Sequence, residues 1–360
     1  MGQVKYQRLK ELMKEKIAQG LWKPGQKIPS ERAISQQAGV SRITVKTAIH
    51  DLIQEGRLEY RAGRRGTFAR DSSQAPAVSK LIGVAIDDIT DAFGADMLRG
   101  IEDFLWDKRF HVVLCNADRD FHKVEEYFRS LLQLKIAGVI FSPVIDHGYF
   151  ENNRRILSLL ERRGIPYVLI DRYLPNLSSS FVVSNHRESS RQVTRHLLSQ
   201  GHRDILVAAG IPCTSMDDRL LGYCDALEEA GLQPQDRLIL RLNDNLLYKN
   251  PDPREMERMG QLVEEAGPFT AFYALNGRLL RAGISLLLSL GKRIGEEVRL
   301  AVNDEISKPF PPHTDDIPRA VQPVYEMGWE AARILLESIL EPGKSIVRMI
   351  LTSRFIAGRA

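Results

Sequence analysis

The sequence predicts two kinds of domain in one chain: a small α+β unit over residues 1–70 and a larger α/β unit over residues 80–360, two lobes with doubly wound parallel sheets. Three observations carry this. Charge is uneven: residues 1–70 hold 15 Lys and Arg against 6 Asp and Glu, whereas the rest of the chain holds 35 against 40. Beyond residue 80, short apolar runs alternate with helical segments, the pattern of parallel sheets. Between the two units lies "DSSQAPAVS" (71–79), polar and Pro-containing, which reads as a linker.

At 360 residues the chain has room for two or three domains. Its 43% hydrophobic and 27% charged residues are ordinary for a soluble globular protein. The basic excess of the first unit favours a polyanion partner for that unit alone. Cys115, Cys213 and Cys224 are odd in number and form no CxxC pair, which suits buried thiols in a reducing compartment. "MGQVKYQRLKELMKEK" lacks the apolar run of a secretory signal, and no apolar stretch is long enough to span a membrane. The cytoplasm is the expected compartment.

In the small unit, Leu9, Leu12, Met13 and Ile17 recur at helical spacing, so Tyr6 to Gln19 reads as an amphipathic helix stopped by Gly20. Ser30 is placed to cap a second helix, "ERAISQQA", with Glu31 in the first turn where the helix dipole favours an anion. A tight turn through Gly39 leads to Ser41, cap of a third helix that ends at Gly56. "RLEYRA" and "GTFAR" then alternate as strands of a hairpin around "GRRG". Three helices and a hairpin in this order make a winged helix-turn-helix.

The third helix has two faces. Val45, Ala48, Ile49, Leu52 and Ile53 point into a core, while Arg42, Thr44, Lys46, Thr47 and His50 fall largely on the other side. A helix of this size fits the DNA major groove, and its N-terminal residues reach base edges, which selects Ser41, Arg42, Ile43, Thr44 and Lys46. Arg64 and Arg65 at the hairpin tip would contact phosphates or enter the minor groove. "KIPSERAISQQAGVSRITVKTAIHDLIQEGRLEYRAGRRGTFA" strongly resembles the GntR-type winged-helix DNA-binding domain, over residues 4 to 70. That resemblance implies operator contacts by Arg32, Arg42, Thr44 and Lys46. Lys46 stands where the family usually has Arg, which loses bidentate geometry.

In the large unit "LIGVAI", "HVVLC", "AGVIF" and "PYVLI" read as the strands of one lobe, and a second series begins at "FVVS" and continues through "DILVAA", "LILRL", "TAFYA" and "VRLAV". Ligands bind such sheets at the carboxyl ends of the strands, so a cleft between lobes is the expected site. Polar residues follow those ends: Asp87, Asp88 and Asp91; Asp171 and Arg172; Ser215 and Arg219; Asn276; Asn303 and Asp304. Carboxylates, amides and guanidinium groups in this number suit a polyhydroxyl ligand, although each alone is more readily a turn residue or helix cap.

"IGVAIDDITDAFGADMLRGIE", "GIPYVLIDRYLPN", "HLLSQGHRDILVAAG", "DRLLGYCDALEEAGL", "VNDE" and "AVQPVYEMGWEAARILLE" resemble the effector-binding domain of LacI/GalR-type repressors, itself similar to periplasmic sugar-binding proteins. The resemblance covers residues 81 to about 356 and implies three chain crossings between lobes, near 184, 322 and 347. It implies ligand contacts by Asp87, Phe93, Asp171, Asn185, Ser215, Arg219, Asn276, Asp304 and Gln322. Asn303 stands where that family commonly has an aromatic residue, which removes a stacking surface.

Both resemblances together are those of arabinose-repressor-type architecture. They imply a ligand-responsive transcriptional repressor, released from double-stranded operator DNA by a small carbohydrate and acting as a homodimer. Two alternatives stay open: the same architecture sensing a purine, nucleoside or sugar phosphate, and the regulator acting as an activator whose DNA binding the ligand promotes. An enzyme is not expected. No GxSxG, HExxH or P-loop occurs, the eight His show no metal spacing, and no metal or cofactor is implied.

Overall fold

Three helices open the chain: α1 (Gly2–Ala18), α2 (Glu31–Ala38) and α3 (Arg42–Gln54). A computed structural model describes residues 2–358 except 55, 61–65, 71–78, 90–91, 248–249, 307–315 and 342. The helices bury Leu9, Met13, Ile34, Val45, Ala48, Ile49 and Leu52 against one another. The turn between α2 and α3 is set by Gly39, whose φ of 62° lies in the left-handed region that costs glycine least. Strands β1 (Leu58–Tyr60) and β2 (Thr67–Ala69) pair antiparallel, and Lys27 adds a bridge to Phe68. This is the winged arrangement expected from the sequence. The tip residues Arg64 and Arg65 lie outside the described residues.

The chain divides into two units, Met1–Ser79 and Lys80–Ala360. In the second, β3 (Leu81–Ile86), α4 (Ala92–Trp106), β4 (His111–Asn116), α5 (Phe121–Gln133), β5 (Gly138–Phe141), α6 (Tyr149–Glu161), β6 (Tyr167–Ile170) and β7 (Ser180–Ser184) build most of the first lobe. Then α7 (His186–Ser199), β8 (Ile205–Ala209), α8 (Thr214–Glu229), β9 (Ile239–Arg241), α9 (Pro253–Ala266), β10 (Ala271–Ala274), α10 (Gly277–Ser289), β11 (Arg299–Val302) and β12 (Arg319–Val321) build the second. Helix α11 (Val324–Leu340) and β13 (Arg348–Leu351) return to the first lobe, and β14 (Arg354–Ile356) ends in the second.

The first sheet runs β13-β7-β6-β5-β3-β4, all parallel; the second runs β14-β12-β11-β10-β8-β9, parallel except for β12 with β14. Both are doubly wound, and in each the winding reverses beside its first strand, between β3 and β5 and between β8 and β10. Two sequence expectations need correction. "FVVS" is not the start of the second series: as β7 it pairs with β6 and belongs to the first sheet. The third crossing is not near 347 but at residues 352–353, because Arg348–Leu351 first pairs with β7 as an edge strand. The other two crossings fall at 185 and at 322–323.

Close helix packing joins the returning segment to its lobe. A Cβ on Gly100 of α4 would lie 2.1 Å from the Tyr325 carbonyl of α11, and one on Gly328 of α11 would lie 2.2 Å from the Met97 carbonyl. No described helix is long and apolar enough to cross a membrane.

Candidate functional site: an inter-lobe cavity and a basic helical face

The two winding reversals face a cavity of about 750 Å³ lined from both lobes. From the first lobe come Asp87 and Asp88 after β3, Phe93 and Met97 on α4, Ser142 after β5, and Asp171 and Arg172 after β6. From the second come Ser215 and Arg219 on α8, Asn276 after β10, and Asp304 after β11. Gln322, at a crossing, completes this polar lining.

Arg172 organises the first-lobe side. Its guanidinium donates to Ser142 Oγ (3.0 Å) and to the Pro143 carbonyl (3.0 Å), and pairs with Asp171 (2.9 Å) and Asp87 (3.0 Å). Burial works against the Arg172 charge, but Asp171 and Asp87 raise its pKa above the ordinary guanidinium value. Burial conversely pushes the Asp171 carboxyl up, with Arg172 and Arg219 pulling it back. Asp171 also holds a φ of 68°, unusual for a residue with a side chain. Asp87 lies 3.5 Å from Arg119, yet neither of its buried carboxylate oxygens accepts a hydrogen bond from a described group.

On the second-lobe side Arg219 donates to the Leu275 carbonyl (2.6 Å) and lies 3.6 Å from Asp304. Asn276 caps α10, its Oδ1 accepting from Leu279 N (2.9 Å) while its Nδ2 donates to Asp244 (3.0 Å). Asp304 accepts from Gly277 N (3.0 Å) and from Gln322 Nε2 (3.0 Å), and Ser184 donates to Gln322 Oε1 (2.9 Å). His186, buried at the first crossing, meets the Asp171 carbonyl at 3.2 Å. Burial, and then Arg219 and Arg172, hold its pKa well below the ordinary imidazole value.

Eight of the nine residues implied as ligand contacts line this cavity: Asp87, Phe93, Asp171, Ser215, Arg219, Asn276, Asp304 and Gln322. Asn185 is the exception. It is exposed and caps α7, its Oδ1 accepting from Glu188 N (3.1 Å), so its amide oxygen is engaged in helix capping. Of the other strand-end residues, Asn303 is buried outside the lining and Asp91 lies outside the described residues. Arg119, in the turn after β4, also lines the cavity and was missed, although "CNADRD" obeys the same strand-end rule. Arg278 and Arg281 on α10 also line the cavity and were not singled out by the sequence. Among the described residues no His, Cys, Asp or Glu cluster is placed to hold a metal ion.

The first unit presents the second candidate surface. Ser30 Oγ accepts from Ala33 N (3.3 Å) at the start of α2, and Ser41 Oγ accepts from Thr44 N (3.1 Å) at the start of α3. With Val45, Ala48, Ile49 and Leu52 buried, α3 leaves Arg42, Ile43, Lys46, Thr47 and His50 exposed and Thr44 half-buried. Ile43 is 79% exposed, an apolar side chain beside cations, as thymine methyl contact would need. Thr47 instead spends its hydroxyl on the Ile43 carbonyl (3.0 Å). Arg32 is exposed on α2.

Residues 5–68 match the family described as bacterial regulatory proteins, gntR family, and residues 79–359 match periplasmic binding proteins and sugar binding domain of LacI family. The chain is 26% identical over 337 residues to an arabinose metabolism transcriptional repressor of Geobacillus stearothermophilus, covering 93% of this chain and 91% of that protein. A putative ribose operon repressor from Burkholderia thailandensis superposes with a TM-score of 0.66 at 23% identity, covering 78% of this chain and 99% of that one. A LacI family transcriptional regulator from Enterococcus faecium with bound ribose superposes with a TM-score of 0.59 at 26% identity, covering 76% and 96%.

Proposed function

Because the chain belongs to the LacI-type periplasmic-binding and sugar-binding family and carries a gntR-type head, we propose that it is a transcriptional repressor released from operator DNA by a small carbohydrate. The observation that carries the ligand half is Asp87: two buried carboxylate oxygens that lie beside the Arg172 and Arg119 cations yet accept no well-aligned hydrogen bond from a described group, at the wall of a cavity lined from both lobes. Ligand hydroxyl groups supply the missing donors, and charged acceptors make the stronger hydrogen bonds. The named relatives, an arabinose metabolism repressor and a ribose-bound regulator, support a sugar of that size class.

The sugar-phosphate and purine reading draws on the buried guanidinium groups, which suit phosphate. Arg172 is matched by Asp87 and Asp171, and Arg219 is committed to the Leu275 carbonyl beside Asp304. Those carboxylates repel an anion and favour a neutral polyol. On the DNA side, Arg32, Ser41, Arg42, Thr44 and Lys46 form the contact set, with the hairpin-tip pair Arg64 and Arg65 as further phosphate contacts. Operator half-sites have fixed separation, so a homodimer in the cytoplasm reads them by head spacing, and ligand acts by changing that spacing.

Thermal unfolding of the whole protein against pentoses, hexoses, deoxysugars, sugar phosphates and purines tests this. A ligand present at 100 times its Kd adds about 2.7 kcal/mol of stability. Stabilisation by a neutral sugar that also releases DNA is the expected outcome. A response confined to phosphates or purines overturns the sugar assignment, and ligand-promoted DNA binding overturns the repressor assignment.

A further inference from the structure

We propose that Arg119 is a latch between the two lobes, joining them at the sheet edges farthest from the crossings and thereby governing ligand entry. Arg119 follows β4, the edge of the first sheet opposite β7 and β13, from which the chain leaves for the second lobe. Its partners follow β9, the edge of the second sheet opposite β12 and β14. Arg119 Nη1 donates to Asp244 Oδ2 (3.0 Å) and to Asn245 Oδ1 (2.7 Å). A bond at the edge opposite a hinge has the longest lever arm over opening, so it resists separation most.

Both ends of the latch are rigidly held. Asp118 and Arg119 have φ of 50° and 57°, two successive side-chain residues in the left-handed region, a strained turn of the kind found at functional positions. Asp244 is fully buried and accepts from Ile211 N (3.0 Å) and Asn276 Nδ2 (3.0 Å) within its own lobe. Burial alone would raise its carboxyl, yet Arg119 and the Ile211 amide hold it below the usual range, so the pair stays ionised. Asn245 adds a second cross-lobe bond, Nδ2 to the Ile145 carbonyl at 2.8 Å. Every group in the latch is the protein's own, so it needs no ligand to close.

The same guanidinium lies 3.5 Å from Asp87, the carboxylate at the cavity wall, and so touches both the latch and the ligand position. That the latch gates entry rests on the ligand-site reading above; that it joins the lobes does not. Asp244 is outside the cavity lining, which allows the two to be tested apart.

Hydrogen exchange of the whole protein, with no ligand added, decides the point. Arg119→Ala should speed amide exchange by about tenfold or more in residues 142–147 of the first lobe, which hold no direct bond to Arg119, as well as in 242–247 of the second. Asp244→Asn, which keeps the shape of the side chain, should do the same, and the double variant should add little to either, as members of one interaction do. Faster exchange confined to 116–123 and 243–246, with 142–147 unchanged, overturns the latch, as do fully additive effects. If Asp244→Asn fails to fold, Arg119→Ala alone still separates these outcomes.

Discussion

The proposed function puts its ligand half and its DNA half on two side chains in different units, Asp87 and Arg42. Asp87→Asn keeps the size of the group and removes its charge. Ligand affinity should fall tenfold or more, since hydrogen bonds to a charged group are worth about 1.5–3 kcal/mol, while DNA binding without ligand is retained. Arg42→Ala should do the opposite, costing about 1–3 kcal/mol of operator affinity and leaving the ligand-induced thermal shift intact. Titration of operator and ligand against each variant checks both. His186 sets a pH dependence. Its folded pKa is depressed, chiefly by burial, so below the ordinary imidazole value of about 6.5 the unfolded chain binds a proton that the folded chain refuses. Stability of the large unit should therefore fall as pH drops from 7.5 to 5.5, and His186→Gln should flatten that slope in urea unfolding. Legibility at this scale followed chemistry: most polar residues after recognisable strands reach the cavity, Arg119 being passed over although it too follows one, whereas Asn185 serves as a helix cap, a competing use of the same residue type at the same place.

At the scale of elements, glycine positions decide the packing. Gly100 and Gly328 let α4 and α11 cross with backbone nearly in contact, and Gly222 does the same for α8 against α7, where a Cβ would lie 2.0 Å from the Arg187 carbonyl. Gly328→Ala should destabilise the first lobe by about 1–3 kcal/mol through overpacking, seen as a lower unfolding midpoint for that lobe with an unchanged operator-bound head. The helices themselves were legible because their apolar spacing is strong, as with Val124, Phe128 and Leu131 on one face of α5. Strand membership was less so. "FVVS" reads as a strand wherever it is placed, and only the pairing of Leu169 with Phe181 assigns it to the first sheet. The late strands β12, β13 and β14 have three or four residues each, too short for periodicity to distinguish them from loops.

The whole molecule reads two unlike partners, one polyanionic and one small. Operator affinity should fall steeply with salt: a homodimer engaging phosphates through Arg32, Arg64 and Arg65, as proposed, gives a log–log slope of about −5, whereas ligand affinity should be nearly flat. Binding measured from low to physiological salt distinguishes the two, and a shallow operator slope would count against the basic face. Domain architecture was legible from charge asymmetry and the alternation of elements. The threading between lobes was only partly so, because a crossing is a property of which sheet a strand joins and leaves no local mark.

That threading has a consequence for synthesis. The first lobe begins at β3 but is completed by α11 and β13, which leave the ribosome some 140 residues after β7. Met97, Ile101 and Leu105 share an apolar cluster with Met327, Ala331 and Leu335, so until the last turns of α11 arrive this face of the nascent chain is uncovered. The second sheet, by then, lacks only β14. A message cut short near its end therefore yields a nearly finished second lobe attached to an unfinished first one, and its failure is one of chaperone demand and aggregation before it is one of regulation.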